Sequence, residues 1–414
     1  MNQNYNGAYG QQPGYYNPAQ YGQQPIGNGG YVTNPGVQNH GYGQSQGFQQ
    51  NQNFGQNPSP QTYENMNNAS QMNQNVNPVP QPKKEENVSE ISEEDFAYAK
   101  DVIDKLEKYF HTRVIGQKQL MYSLIEAILA DGHILIESVP GLAKTTAAKA
   151  ISDAVDGKFS RIQCTPDLLP SDIIGTQIYH SDTGKFETVL GPVFANFVLV
   201  DEINRSSAKT QSAMLEAMQE RQVTIGKESY SVPKDVFVVI ATQNPIEQEG
   251  TYPLSEAQTD RFMLKDTLTY PTAEEELQIL KLTEKKNVEK QPAVLTIADI
   301  DKVQDIVEHV YVSDKIRYYI ASIVDATRHA DEKLPQNLKG YVSMGVSPRA
   351  SIAFLKTSKA LALMEGRNYV IPEDVRNVSF GVLRHRLALN YAAIADGITV
   401  ENLIYEIIKT VPTP

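Results

Sequence analysis

Lys144 and Thr145 follow a loop, Ser138-Val139-Pro140-Gly141-Leu142-Ala143, that is entered from a short apolar run and left into an Ala-rich segment. In a strand–loop–helix setting, backbone N–H groups and the helix N-terminus can face an anion. Lys144 then adds a point charge near the terminal phosphates, and the Thr145 hydroxyl is placed to ligate Mg²⁺. Thr146 completes the first helical positions. The expected ligand is a nucleoside triphosphate. The spacing is that of G-x-x-x-x-G-K-[ST], but Ser138 stands at the first glycine position and Ala143 at the second, leaving only Gly141 between them. A β-carbon at Ala143 narrows the approach of a phosphate and penalises positive φ. The competing reading of the loop alone is an ordinary strand-to-helix turn with a surface lysine.

A second group bears on that choice. Phe197-Val198-Leu199-Val200 runs directly into Asp201-Glu202. Four consecutive apolar residues read as a strand buried on both faces of a parallel sheet, with its acids at the carboxyl end. Ligands of open α/β sheets sit at that edge. Asp201 would hold Mg²⁺ through water and Glu202 would accept a proton from an attacking water. The alternative, a strand that ends by chance in two solvated acids, fits poorly beside the Lys144-Thr145 loop.

These residues need a scaffold, and the pattern supplies one. Strands are expected at 133–137, 159–164, 197–200, 236–241 and 262–264, with helices at 144–155 and 208–220 between them. Such alternation indicates an α/β fold with a three-layer parallel-sheet core. Two hairpins interrupt it, at 176–190 around Ser181-Asp-Thr-Gly184 and at 221–232 around Gly226-Lys-Glu228. After Tyr270-Pro271 the pattern is helical throughout: 314–330, 347–366 and 400–408 carry apolar residues at helical spacing. Ser347-Pro348 is a helix start and Gly366 a C-terminal stop. The organisation read from the sequence is a tail over 1–82, a helical linker over 83–113, the core over 114–270 and an all-helical domain over 271–414.

Composition divides the chain of 414 residues at the same place. Residues 1–82 are rich in Asn, Gln, Gly, Tyr and Pro, and Glu64 is their only charged side chain. Such a segment cannot bury enough surface to offset its chain entropy. Its interspersed tyrosines give it a prion-like composition, read as a flexible tail or as a device for weak self-association. The whole chain carries 37 Lys and Arg against 49 Asp and Glu, a net charge of −12. That balance argues against a surface built to wrap nucleic acid. No leader with an apolar core opens the sequence, and no apolar run approaches the ~20 residues needed to span a bilayer, so a cytoplasmic protein is expected. The single Cys164 leaves no partner for an intrachain disulfide and reads as a small apolar residue near a strand end.

Several long blocks in order resemble the MoxR family of AAA+ ATPases: Phe194-Ala-Asn-Phe-Val-Leu-Val-Asp-Glu-Ile-Asn-Arg205, Lys209-Thr-Gln-Ser-Ala-Met-Leu-Glu-Ala-Met-Gln-Glu220, Ala241-Thr-Gln-Asn-Pro-Ile-Glu-Gln-Glu-Gly-Thr-Tyr252 and Glu256-Ala-Gln-Thr-Asp-Arg-Phe262. The resemblance covers about Val114 to Val411. It implies an AAA+ P-loop core with a C-terminal helical lid, in which the two hairpins are the family's inserts. It also implies ATP and Mg²⁺ as ligands, a homo-hexameric ring, and a protein client with a von Willebrand factor A-domain protein as partner. Residue by residue, Asn244 matches sensor 1, Arg261 the finger supplied by a neighbouring subunit, and Arg349 sensor 2, from where it would reach across to the phosphates. Val114-Ile115-Gly116-Gln117 matches the segment that lines the adenine pocket. The bland readings are a cap on the Asn-Pro turn for Asn244, an ion pair with Asp260 for Arg261, and a surface pair for Arg349. Arg205 and Arg221 stay open as alternative fingers.

Taken together with these residues, the resemblance implies a ring ATPase that remodels or matures client proteins. Two other functions remain: a nucleotide-gated scaffold with little turnover, because of Ser138 and Ala143, and a nucleic-acid motor of the same clade, which the acidic charge disfavours.

Overall fold

The computed structural model describes residues 91–246, 250–284 and 291–414. The tail at 1–82 and the start of the expected linker lie outside the described residues. At the centre is a parallel sheet of five strands: β1 Ile134–Glu137, β2 Phe159–Gln163, β3 Phe197–Asp201, β4 Val238–Gln243 and β5 Leu264–Thr267. Their order across the sheet is β5-β1-β4-β3-β2. Helices cover both faces, as buried parallel strands require.

Alternation along the strands sorts residues into two cores. Ile134, Ile136, Phe197, Leu199, Val238 and Ile240 point to one face and pack in a cluster that continues into the C-terminal helices. Leu135, Val198, Val200, Val239 and Ala241 point to the other, against α-helix Ala208–Glu220 and the hairpins. At about 1.5–3 kcal/mol for each fully buried large apolar side chain, these strands are fixed by packing on both sides rather than by their short ladders.

On the first face lie α1 Glu93–His111, α2 Lys118–Leu129 and α3 Lys144–Ala154; α4 Ala208–Glu220 covers the second. Past the sheet come α5 Ile297–Glu308, α6 Pro348–Met364 and α7 Pro372–Leu383. The helix expected as a linker is part of the core: Ala99, Val102, Leu106 and Phe110 of α1 are buried, and α1 packs on α3, α5 and α6. Its Ser92 cap accepts from the Asp95 N–H at 3.0 Å, Tyr98 hydrogen-bonds Asp299 of α5, and the Lys302 ammonium sits 4.2 Å from the Tyr98 ring centre.

Most expected elements form with small shifts, and one moves further. The last strand, expected at 262–264, starts at Leu264 and runs through Lys265-Asp266-Thr267, paired in register with Ile134–Glu137. Its polar residues give no apolar signal, so only the pairing reveals it. Both hairpins form, Gly175–His180 with Lys185–Leu190 and Gln222–Ile225 with Glu228–Ser231. They meet through the Tyr230 hydroxyl, which donates to Thr188 Oγ1 at 3.0 Å. Gly366, at φ +74°, ends α6, with the Arg367 N–H reaching back to the Ala362 carbonyl at 2.8 Å. Among the described residues no helix is long and apolar enough to cross a membrane.

Candidate nucleotide site

The loop after β1 is tied to the neighbouring strand, since the Ser138 N–H donates to the Gln243 carbonyl at 3.2 Å. Gly141 adopts φ +87° with open space where a side chain would stand. Ala143 takes φ +56° as the N-cap of α3, so the strain expected of an alanine in this position is present. Lys144 is buried and its Nζ donates to the Ser138 carbonyl at 3.1 Å, folding the loop around its own lysine. Val139 is half-buried, Leu142 is buried, and Pro140 and Thr146 are exposed.

Thr145 reaches the end of β3, its Oγ1 donating to Asp201 Oδ2 at 3.3 Å. Asp201 is itself 6 % exposed and accepts two further bonds: Thr242 Oγ1 to Oδ1 at 2.7 Å and an Arg161 guanidinium N–H to Oδ2 at 2.6 Å. Burial alone would raise its pKa. The bonds from Thr242 and Arg161, with the charges of Arg161 and Lys144, outweigh that and hold the carboxyl below its usual range. Asp201 is therefore an anion held in one orientation.

Glu202 has φ +56°, a strained conformation for a non-glycine residue. Its N–H donates to Thr242 Oγ1 at 2.9 Å, and its Oε2 accepts from Arg205 at 3.1 Å and Gln163 Nε2 at 3.3 Å. Asn244, buried just past β4, accepts from the Ile246 N–H at 3.1 Å through Oδ1. That is the cap on the Asn-Pro turn considered above, and it commits the amide oxygen. Val114 is buried, and Ile115, Gly116 and Gln117 form the turn into α2, where Gln117 Nε2 donates to the Thr269 carbonyl at 3.4 Å. This segment lies beyond the carboxyl end of β5, on the edge that carries the loop.

Arg261 and Arg349 lie elsewhere. Together with Arg221, Arg386, Asp131, Asp260 and His133 they line a cleft of about 280 Å³. His133 precedes β1 whereas Ser138 follows it, so the cleft and the loop stand at opposite ends of the same strand, ~16 Å apart along it by strand rise alone. The docking of α6 carries Arg349 to this far edge, away from the loop of the same chain. There Arg349 pairs with Asp260 at 3.5 Å, Arg386 bonds Asp260 Oδ1 at 2.8 Å and Arg221 bonds Asp131 at 2.6 Å. Among the described residues the buried Nε of Arg261 has no hydrogen-bond partner. Arg205 sits at the loop edge, against Glu202, and not in the cleft. Cys164 is buried and burial pushes its thiol up to about 11, an inert packing residue as expected.

The sequence of this molecule matches the profile of the ATPase family associated with various cellular activities (AAA) over residues 133–264, and an AAA lid domain over 336–407. It is 47 % identical over 302 residues to the chaperone MoxR1 of Mycobacterium tuberculosis, covering 73 % of this chain and 79 % of that one. The chain belongs to the MoxR family of AAA ATPases. A second relative, the uncharacterised protein YeaC of Bacillus subtilis, is 42 % identical over 77 % of this chain and 98 % of its own. A crystal structure of a protein described as an ATPase from Cytophaga hutchinsonii superposes with a TM-score of 0.73 at 44 % identity, covering 78 % of this chain and 98 % of that chain. The AAA match contains the loop, both acids, Asn244 and Arg261, and the lid match contains Arg349. Three residues at the candidate site escaped the sequence reading: Thr242, Arg161 and Gln163. Each is a single polar residue on a strand, with no motif spacing to mark it.

Proposed function

We propose that the chain hydrolyses ATP in sites shared between neighbouring copies of a ring, a hexamer by family resemblance, and uses the cycle to remodel or mature a client protein. One observation carries this reading: the Lys144 loop with its acids and the Arg261–Arg349 cleft occupy opposite edges of the sheet. Neither edge holds a whole hydrolytic site. The two halves become one when the cleft of one copy meets the loop of the next.

In that arrangement Lys144 exchanges the Ser138 carbonyl for phosphate oxygens. Val114 to Gln117 take the base. Thr145 and Asp201 offer hard oxygen donors on one side of the loop, which suits Mg²⁺, an ion that takes one or two carboxylates and completes its shell with phosphate and water. When bound with ATP, Mg²⁺ would neutralise charge between the β- and γ-phosphates. Glu202, once released by Arg205 and Gln163, accepts the proton of the attacking water, and the Asn244 amide nitrogen orients that water. Arg261 of the next copy neutralises charge developing on the transferred group, an effect worth ~10³–10⁵ in rate in related chemistry. Arg349 acts beside it in the same neighbouring site.

The name of the MoxR1 relative supports the chaperone reading. By the family resemblance the client is a protein, with a von Willebrand factor A-domain protein as partner, in the cytoplasm. The second reading, a scaffold gated by ATP with little turnover, is favoured by the hold of Arg205 and Gln163 on Glu202. Mg²⁺-dependent ATP turnover by the full chain, measured against protein concentration, decides between them. Specific activity should rise with concentration and disappear in Glu202→Gln; ATP binding without turnover at every concentration would leave the scaffold.

A further inference from the structure

Strand β2 is the outermost strand on its side of the sheet, and it faces the two acids with alternate residues. Arg161 and Gln163 therefore project on the same side. The Arg161 guanidinium donates to Asp201 Oδ2 at 2.6 Å and to Gln163 Oε1 at 2.8 Å. Asp201 Oδ1 is taken by Thr242 at 2.7 Å, which leaves Oδ2 as the oxygen that faces Thr145 at 3.3 Å. The oxygen best placed to serve a cation beside the Thr145 hydroxyl is the one that Arg161 covers. The two partners differ in freedom: the Asp201 side chain is 9 % exposed and pinned, while that of Arg161 is 48 % exposed. Gln163 gives the guanidinium an acceptor to keep when it moves outward.

We propose that Arg161 is a displaceable counter-ion of Asp201, which Mg²⁺ must displace to bind, so that Arg161 sets how much Mg²⁺ the site requires. Its positive charge satisfies the buried carboxylate before the metal arrives, and the price of metal entry is the breaking of that pair. Arg161 is thus a positioning residue acting through Asp201. The inference rests on the nucleotide-Mg²⁺ reading of the loop, and its test separates the two.

The full-length protein is titrated with MgCl₂ while binding of fluorescent mant-ADP is followed, for wild type, Arg161→Gln and Arg161→Lys. Arg161→Gln should lower the half-saturating Mg²⁺ by ~3–5-fold, the scale of a partly exposed ion pair, with mant-ADP affinity in EDTA changed by less than ~2-fold. Arg161→Lys keeps the charge and should stay near the wild-type Mg²⁺ requirement. An unchanged or higher requirement in Arg161→Gln overturns the inference while leaving the nucleotide site intact. An equal fall in both variants assigns the effect to packing rather than charge and also overturns it. A wild-type chain that binds no mant-ADP at any Mg²⁺ concentration overturns the nucleotide reading and the inference with it.

Discussion

His133 illustrates how single residues are placed. It sits between β1 and the arginine cleft, with Nδ1 accepting from the Val239 N–H at 3.1 Å and Nε2 at 3.2 Å from the Met218 carbonyl, so the proton is assigned to Nε2. Burial, then the nearby charge of Arg221, pushes its pKa down to about 4. The unfolded chain takes up that proton near the ordinary value of 6.5, so the neutral ring favours folding fully above it. That contribution is lost as pH falls from about 6.5 to about 4, and is level below. Buried Glu126, pushed up to about 8, works in the opposite sense, so the prediction is a difference: the urea midpoint of wild type should fall relative to that of His133→Gln as pH drops across this window. A residual slope is expected, because burial also lowers His385. At this scale the loop and the acids were legible because types and spacing together mark them. Thr242 and Arg161 were not, because their partners come from adjacent strands, and a strand pairing leaves no trace in local spacing.

Elements were legible where burial dictates composition. The run 197–200 is apolar because both faces of β3 are covered, whereas β5 is an edge strand whose Lys265 pairs with Glu137 at 2.8 Å and whose polarity hides it. The position of Arg349 depends on how α6 docks, and docking is a tertiary fact. Asp260 is the joint: Ser347, the N-cap of α6, donates to Oδ2 at 2.9 Å, Arg349 pairs with the same oxygen, and Arg386 bonds Oδ1 and the Phe262 and Met263 carbonyls. Asp260→Ala would leave the Arg386 guanidinium, 6 % exposed, without its carboxylate. Removing one partner of such a buried pair costs about 3 kcal/mol. Denaturant unfolding should show that loss, and limited proteolysis should cut between the core and the C-terminal helices sooner than in wild type.

For the whole molecule, the separation of loop and cleft is testable by complementation. On that reading Lys144→Ala would abolish the phosphate half in its own copy but leave its cleft, and Arg261→Ala would do the reverse. On the shared-site reading, each variant alone is inactive, and an equimolar mixture regains a measurable part of wild-type ATP turnover as intact loops meet intact clefts. A mixture as inactive as its components would end that reading. The tail at 1–82 enters none of these tests.

On the shared-site reading, with its half-sites at either end of β1, the face that gives a guanidinium would differ from the face that receives one. A contact between unlike faces has direction and repeats from copy to copy, stopping only when the last meets the first. Any open row, however long, ends in one loop without a neighbour and one cleft without a phosphate. Closing the row uses both at a single stroke. The polarity of one short strand would thus give such an assembly a reason to close.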